Sequence, residues 1–131
     1  MIYHAKTHGI TVKVQPEFLE HQSDPTEDHY VWAYHVRIEN GSEGAVQLLS
    51  RTWEVIDAFG NIRHISGEGV VGMQPLIAAT EFFEYNSGTS LKTPSGFMRG
   101  TYQLEDEDGN EFDIDIPIFS LDSHYQNVVL Q

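Results

Sequence analysis

The sequence predicts an all-β sandwich, and three observations carry that prediction. Apolar residues recur at every second position over most of the chain, the period of a strand that buries one face. Clusters of Gly, Pro, Asn, Asp and Ser separate the alternating runs at short intervals. No segment sustains the 3.6-residue apolar period over the length of an ordinary helix. The 131 residues make one domain, and a domain of this size buries roughly two thirds of its unfolded surface. There is no Cys, which excludes disulfides, thiolate metal sites and thiol nucleophiles.

Taken in order, Ile10, Val12 and Val14 point one way and Thr11, Lys13 and Gln15 the other. Pro16 lacks a ladder N–H and marks an edge strand or a bulge; Phe18 and Leu19 continue beyond it. Gln22-Ser23-Asp24-Pro25-Thr26-Glu27-Asp28 is a polar loop. Tyr30, Trp32, Tyr34, Val36 and Ile38 form the clearest strand, and Asn40-Gly41-Ser42-Glu43-Gly44 is a turn. Residues 46–56 read as one long strand, with Leu49, Arg51, Trp53 and Val55 on one face and Leu48, Ser50, Thr52, Glu54 and Ile56 on the other. Asp57-Ala58-Phe59-Gly60-Asn61 is a hairpin loop with Gly at a positive-φ position, and residues 62–65 return. Phe82-Phe83-Glu84-Tyr85 is a strand, followed by turns at Asn86-Ser87-Gly88-Thr89 and Thr93-Pro94-Ser95-Gly96.

Residues 97–104 form a strand with Met98, Gly100, Tyr102 and Leu104 on one face. Asp108-Gly109 marks another hairpin turn. In the last strand Phe112, Ile114 and Ile116 face the core, and Pro117 ends it. Trp32 and Trp53 are the expected large core anchors. Strands of this number and spacing suit an immunoglobulin- or fibronectin type III-like β-sandwich of about seven or eight antiparallel strands; a closed barrel is the alternative. The domain spans 1–131, with 1–8 and 122–131 expected as loose termini.

Charge bounds the function. Seven Lys and Arg stand against 20 Asp and Glu, a formal net charge of -13. Nucleic-acid binding needs cationic side chains to neutralise phosphates, so the balance argues strongly against nucleic acid and anionic membrane surfaces as partners. A cation or a basic protein is electrostatically easier. No apolar run approaches the roughly 18 residues of a membrane span. Met1-Ile2-Tyr3-His4-Ala5-Lys6-Thr7-His8 has no apolar secretory core, and a cytoplasmic location is expected.

Gly67-Glu68-Gly69-Val70-Val71-Gly72 fits G-x-G-x-x-G, the spacing that brings backbone close to a pyrophosphate. That motif works between a strand and a helix, and here Met73-Gln74-Pro75 and further strand follow it. The glycines therefore read first as turn, bulge or close-packing positions. A backbone anion nest at Gly67, Gly69 and Gly72 is the functional alternative, although Glu68 would repel a phosphate.

The seven histidines, His4, His8, His21, His29, His35, His64 and His124, show no H-E-x-x-H or H-x-E spacing, and they read as surface residues. Glu105, Asp106, Glu107 and Asp108, with Glu111, Asp113 and Asp115, form the strongest negative feature. It is a candidate for a weak divalent-cation site, without EF-hand spacing, or a solvated hairpin and strand face. Ser120, Asp122 and His124 are close in the chain, but triads are defined by geometry, and no G-x-S-x-G elbow is present. No catalytic residue and no cofactor are assigned, and an enzyme is not expected.

Several longer stretches carry a family resemblance. They are Tyr34-His35-Val36-Arg37-Ile38-Glu39-Asn40, Leu48-Leu49-Ser50-Arg51-Thr52-Trp53, the glycine hexapeptide continued through Met73-Gln74-Pro75, Phe83-Glu84-Tyr85-Asn86-Ser87-Gly88, residues 91–102, and the last strand with Ile116-Pro117 and Phe119-Ser120-Leu121. With these motifs the chain resembles the ApaG family over nearly its whole length. The resemblance implies a fibronectin type III-like β-sandwich. It also implies an association with cobalt resistance and magnesium efflux, without an established biochemical activity. In larger eukaryotic proteins, including an F-box protein, the same domain looks like an interaction module. The expected partner is therefore a protein. The glycine motif, here Gly67, Gly69 and Gly72, has been considered a pyrophosphate site in the family. One departure is Ala79-Thr80, where the family usually has Pro-Gly in the turn before the Phe-x-Tyr strand.

Overall fold

The computed structural model describes residues 1–125. The architecture is a β-sandwich of two antiparallel sheets. Its strands are β1 (Tyr3–Thr7), β2 (Ile10–Phe18), β3 (Tyr30–Asn40), β4 (Val46–Asp57), β5 (Ile62–Glu68), β6 (Leu76–Ile77), β7 (Phe82–Leu91), β8 (Gly96–Asp106) and β9 (Glu111–Leu121). One sheet has the order β1-β2-β3-β7; the other has β5-β4-β8-β9, with β6 also pairing β4. Two short 3-10 turns, Glu20–Gln22 and Pro25–Glu27, fill the polar loop between β2 and β3.

Alternation places the core as expected along β3, where every second residue from Tyr30 to Asn40 is buried. Trp32 and Trp53 are both buried. Tyr34, Trp53 and Phe119 meet ring to ring across the two sheets, at centroid distances of 5.6 to 6.0 Å. Such tilted and edge-on contacts add to the large area these rings bury. The Trp32 indole N–H donates to the Asp122 carbonyl at 2.8 Å, which ties the chain after β9 to β3.

The structure departs from the sequence reading where tertiary pairing overrides local signals. Residues 1–8 are not wholly loose, because Tyr3–Thr7 pairs with Ile10–Val14 through the two-residue turn His8-Gly9, both at positive φ. Beyond Val14 the β1 side of β2 is open, and Pro16 sits on that one-sided stretch while still facing Tyr34. The segment Asn86-Ser87-Gly88-Thr89 is not a turn. It lies within β7, paired residue by residue with β3, and ten cross-strand partners outweigh the turn preference of Asn and Gly.

Pro117 does not end its strand. The β8–β9 register shifts near it, and burial changes phase from Ile114 and Ile116 to Phe119 and Leu121. A second bulge in β4 between Leu48 and Ser50 does the same. It puts Leu48 in the core with Val46, rather than on the face of Ser50 and Thr52. A bulge inserts one residue and reverses the alternation. Of the tail expected to be loose, Asp122 to Tyr125 is described, and Ser123 is buried with its hydroxyl donating to the Pro94 carbonyl; residues 126–131 lie outside the described residues. No helix among the described residues is long and apolar enough to cross a membrane.

Candidate functional site: an anchored hairpin at the sheet edge

The glycine hexapeptide folds as a tight hairpin beside β4. Val70 N–H donates to the Met73 carbonyl and Met73 N–H to the Val70 carbonyl. The two residues between them, Val71 and Gly72, hold φ of 44° and 79°. Two successive positive φ values across a reciprocal pair of bonds are the mark of a type I′ turn.

The three glycines have different reasons to be glycine. At Gly69 (φ 62°) a Cβ would sit 2.2 Å from the Met73 carbonyl oxygen, a steric exclusion. Gly72 needs only its positive φ, since no atom lies near the place of its Cβ. At Gly67 a Cβ would meet the Arg51 guanidinium, 3.2 Å from Nη1 and 3.3 Å from Nη2.

Arg51 anchors the hairpin. It lies on the same face of β4 as Trp53 and Val55, the core-facing side. Its Nη1 donates to the carbonyls of Glu68 (3.1 Å) and Gly69 (2.8 Å). Gln74 adds a second tie, its Nε2 donating to the Leu49 carbonyl at 2.8 Å. Gln47 Nε2 donates to the Gln74 carbonyl at 3.1 Å.

Behind Arg51 lie three tyrosines. Tyr85 and Tyr102 share a hydrogen bond between their hydroxyls. Burial raises the pKa of Tyr34, Tyr85 and Tyr102, while the positive charge of Arg51 partly opposes the rise at each. The phenols are polar, uncharged neighbours of the guanidinium.

This geometry bears on the anion-nest alternative. A nest offers successive free N–H groups to a ligand. Here Gly69 N–H is engaged by the Leu49 carbonyl, and those of Val70 and Met73 by each other's carbonyls. Alongside exposed Glu68 and Gln74, the hairpin and the strand after it expose three apolar side chains. Val71 is 56% exposed, Met73 53% and Leu76 72%. Alternation in sequence had put Arg51 on the face of Trp53; a charged residue on a core face was the available signal for the anchor. The exposed trio was legible only once the turn type and β6 were known.

The other candidates are placed as follows. In the acidic hairpin, Asp106 accepts from the N–H groups of Asp108 (2.9 Å) and Asn110 (3.0 Å). These backbone bonds, led by Asn110, lower its pKa. Glu107 accepts from Ala45 N–H at 2.9 Å. Two of the carboxylates thus cap backbone N–H groups. Glu111, Asp113 and Asp115 face outward.

The histidines stay dispersed. His35 contacts Asn86 and Glu84, His64 lies 3.7 Å from Glu54, and His124 lies 3.5 Å from Glu20. Among the described residues no group of three or more His, Asp and Glu is arranged to hold a metal ion. Ser120, Asp122 and His124 are not joined by any hydrogen bond among the described residues; the Asp122 carbonyl accepts from Trp32, and the His124 ring lies tilted by 36° against Tyr125, with centroids 4.0 Å apart.

The Ala79-Thr80 departure keeps a turn. Glu81 N–H donates to the Ala78 carbonyl, and Thr80 N–H to the Asn40 carbonyl. Thr80 takes φ 69°, a conformation that suits glycine.

A family model described as the ApaG domain matches residues 20–106. Protein ApaG of Parvibaculum lavamentivorans is 49% identical over 129 residues, covering 98% of this chain and 99% of that protein. Protein ApaG of Paramagnetospirillum magneticum is 51% identical over 125 residues, covering 95% and 96%. The crystal structure of an ApaA protein from Bordetella pertussis superposes with a TM-score of 0.85 at 44% identity, covering 88% of this chain and 94% of that one.

Proposed function

This chain belongs to the ApaG family, and from that premise we propose that it is a non-catalytic binding module whose ligand is another protein. The observation that carries this reading is the exposure of Val71 and Met73 on the anchored hairpin and of Leu76 shortly after it, in β6. Exposed apolar side chains grouped in one short stretch of a small domain are a candidate contact surface. The hairpin is held by Arg51 and Gln74, so little ordering cost is left for binding. A β-branched residue at positive φ is a genuine outlier, and Val71 is one at the tip of the turn. Backbone strain of this kind clusters at ligand contacts.

On this reading any link to cobalt and magnesium homeostasis is indirect, through a cytoplasmic protein partner rather than a bound ion. Affinity capture from native lysate is the test, with the wild-type chain beside a variant carrying Val71→Ser, Met73→Ser and Leu76→Ser. A saturable partner retained by the wild type and lost by the variant is expected. Equal retention by both would overturn the assignment of the surface.

A further inference from the structure

At the end of the sandwich next to β6, a cavity of about 430 Å³ opens between the β8–β9 hairpin, the turn at 41–45 and the β1–β2 turn. Its wall combines two chemistries. Ile10 and Val46, both buried, give an apolar floor, and half-buried Phe112 gives a side wall. Glu107 and Asp108 stand at the rim, and no Lys or Arg is among the lining residues. The Glu107 carboxylate is fixed, since its Oε1 accepts from Ala45 N–H. The His8 ring packs edge-on to Phe112 with centroids 5.5 Å apart, which closes one side.

The volume falls in the range of small-ligand sites, which combine apolar walls with a few placed polar groups. Metal ions take closely converging oxygen ligands, and among the described residues no group of three or more His, Asp and Glu is arranged to hold one. Nor is a free carboxylate or phosphate suited to a wall carrying three acids, Asp106, Glu107 and Asp108, on a chain of net charge -13. An alkyl stem ending in a cation fits both parts, with methylenes on the floor and the charge at the rim, as long basic side chains do on protein surfaces.

We propose that this cavity receives the side chain of a lysine or arginine from a polypeptide partner. It is a second site, separate from the hairpin's apolar surface, but Val46 of its floor pairs directly with Ile77, next to Leu76. One partner can reach both. The choice of a polypeptide source rests on the protein-partner reading above; the cation preference of the cavity does not.

NMR titration of the full chain tests the two parts separately. The probes are N-acetyl-lysine-N′-methylamide and n-butylammonium, with butyrate and Mg²⁺ as controls. Both amines are expected to shift the amides of residues 42–46 and 106–112 saturably, with the blocked lysine bound no more weakly than butylammonium. Asp108→Asn and Glu107→Gln are each expected to weaken the amines about threefold, in the range of one partly exposed charge pair. Equal shifts with butyrate, the same pattern with Mg²⁺, shifts spread to Asp113 and Asp115, or no shift would overturn the site. Binding of butylammonium without the blocked lysine would overturn the polypeptide source alone. Failure of lysate capture at the hairpin leaves the outcome of this titration unaffected.

Discussion

Replacing Val71 by Asn separates stability from binding at one position. Val71 holds φ 44° as the first central residue of the turn, with Gly72 second. The left-handed region costs an L-residue roughly 1–2 kcal/mol, and the cost is greatest for a β-branched side chain. Asn tolerates that region, and Asn-Gly is a preferred type I′ pair. The Val71 side chain is more than half exposed, so little buried area is lost. The substitution is expected to stabilise the fold by about 1 kcal/mol, raising Tm by about 4 °C for a chain of this length. Partner retention should fall, because an apolar contact is replaced by an amide.

Thermal unfolding followed by circular dichroism reads the first effect, and side-by-side capture reads the second. Thr80→Gly relieves the same kind of strain at φ 69°, away from the apolar trio. It should raise Tm by a similar amount and leave partner retention unchanged. A Tm for Val71→Asn equal to or below the wild-type value would refute the strain argument. Undiminished capture would refute the contact role of the tip.

Gly69→Ala should cost about 3 kcal/mol in urea denaturation, because strain and a clash with the Met73 carbonyl add; Gly72→Ala, with open space at its Cβ, should cost only about 1 kcal/mol. Arg51→Met leaves the Glu68 and Gly69 carbonyls without their charged donor. It should lower stability by about 1.5–3 kcal/mol and speed hydrogen exchange at the amides of Gly69, Val70 and Met73 before the rest of the sheet. Acid should destabilise the fold in a defined window. Glu39 is lowered first by its bond from Lys13, Asp57 first by the Asn61 side chain, and Asp106 first by the Asn110 backbone. Depressed carboxylates bind fewer protons folded than unfolded, so their contribution is present above the ordinary carboxylate range. It is lost as pH falls through the folded values, below about pH 4. A urea midpoint unchanged between pH 6 and pH 3 would refute this.

Two hairpins show how local signals carry. Asp57-Ala58-Phe59-Gly60-Asn61 and Asp106-Glu107-Asp108-Gly109-Asn110 share the pattern Asp-x-x-Gly-Asn. In both, the Asp side chain accepts from the N–H groups two and four residues on, and the Gly takes φ above 80°. That chemistry is complete within five residues, and both hairpins were legible in the sequence. The phase of β4 beyond Leu48 and the passage of β9 through Pro117 were not, because each bulge exists only against β8.

The sequence by itself determined the class of fold, the core faces of β3, β8 and the first half of β9, the two tryptophan anchors and the sign of the charge. Each follows from periodicity or composition, which need no partner strand. Only the tertiary structure decided what the glycine hexapeptide is. A type I′ turn, a space for Arg51 beneath Gly67 and a clash-free approach to Met73 are all relations between segments. The same relations leave Val71, Met73 and Leu76 exposed and bring the two ends of the cavity wall, Ile10 and Phe112, to one place. Contacts between residues distant in the chain are set by strand pairing and register, which a local pattern does not contain.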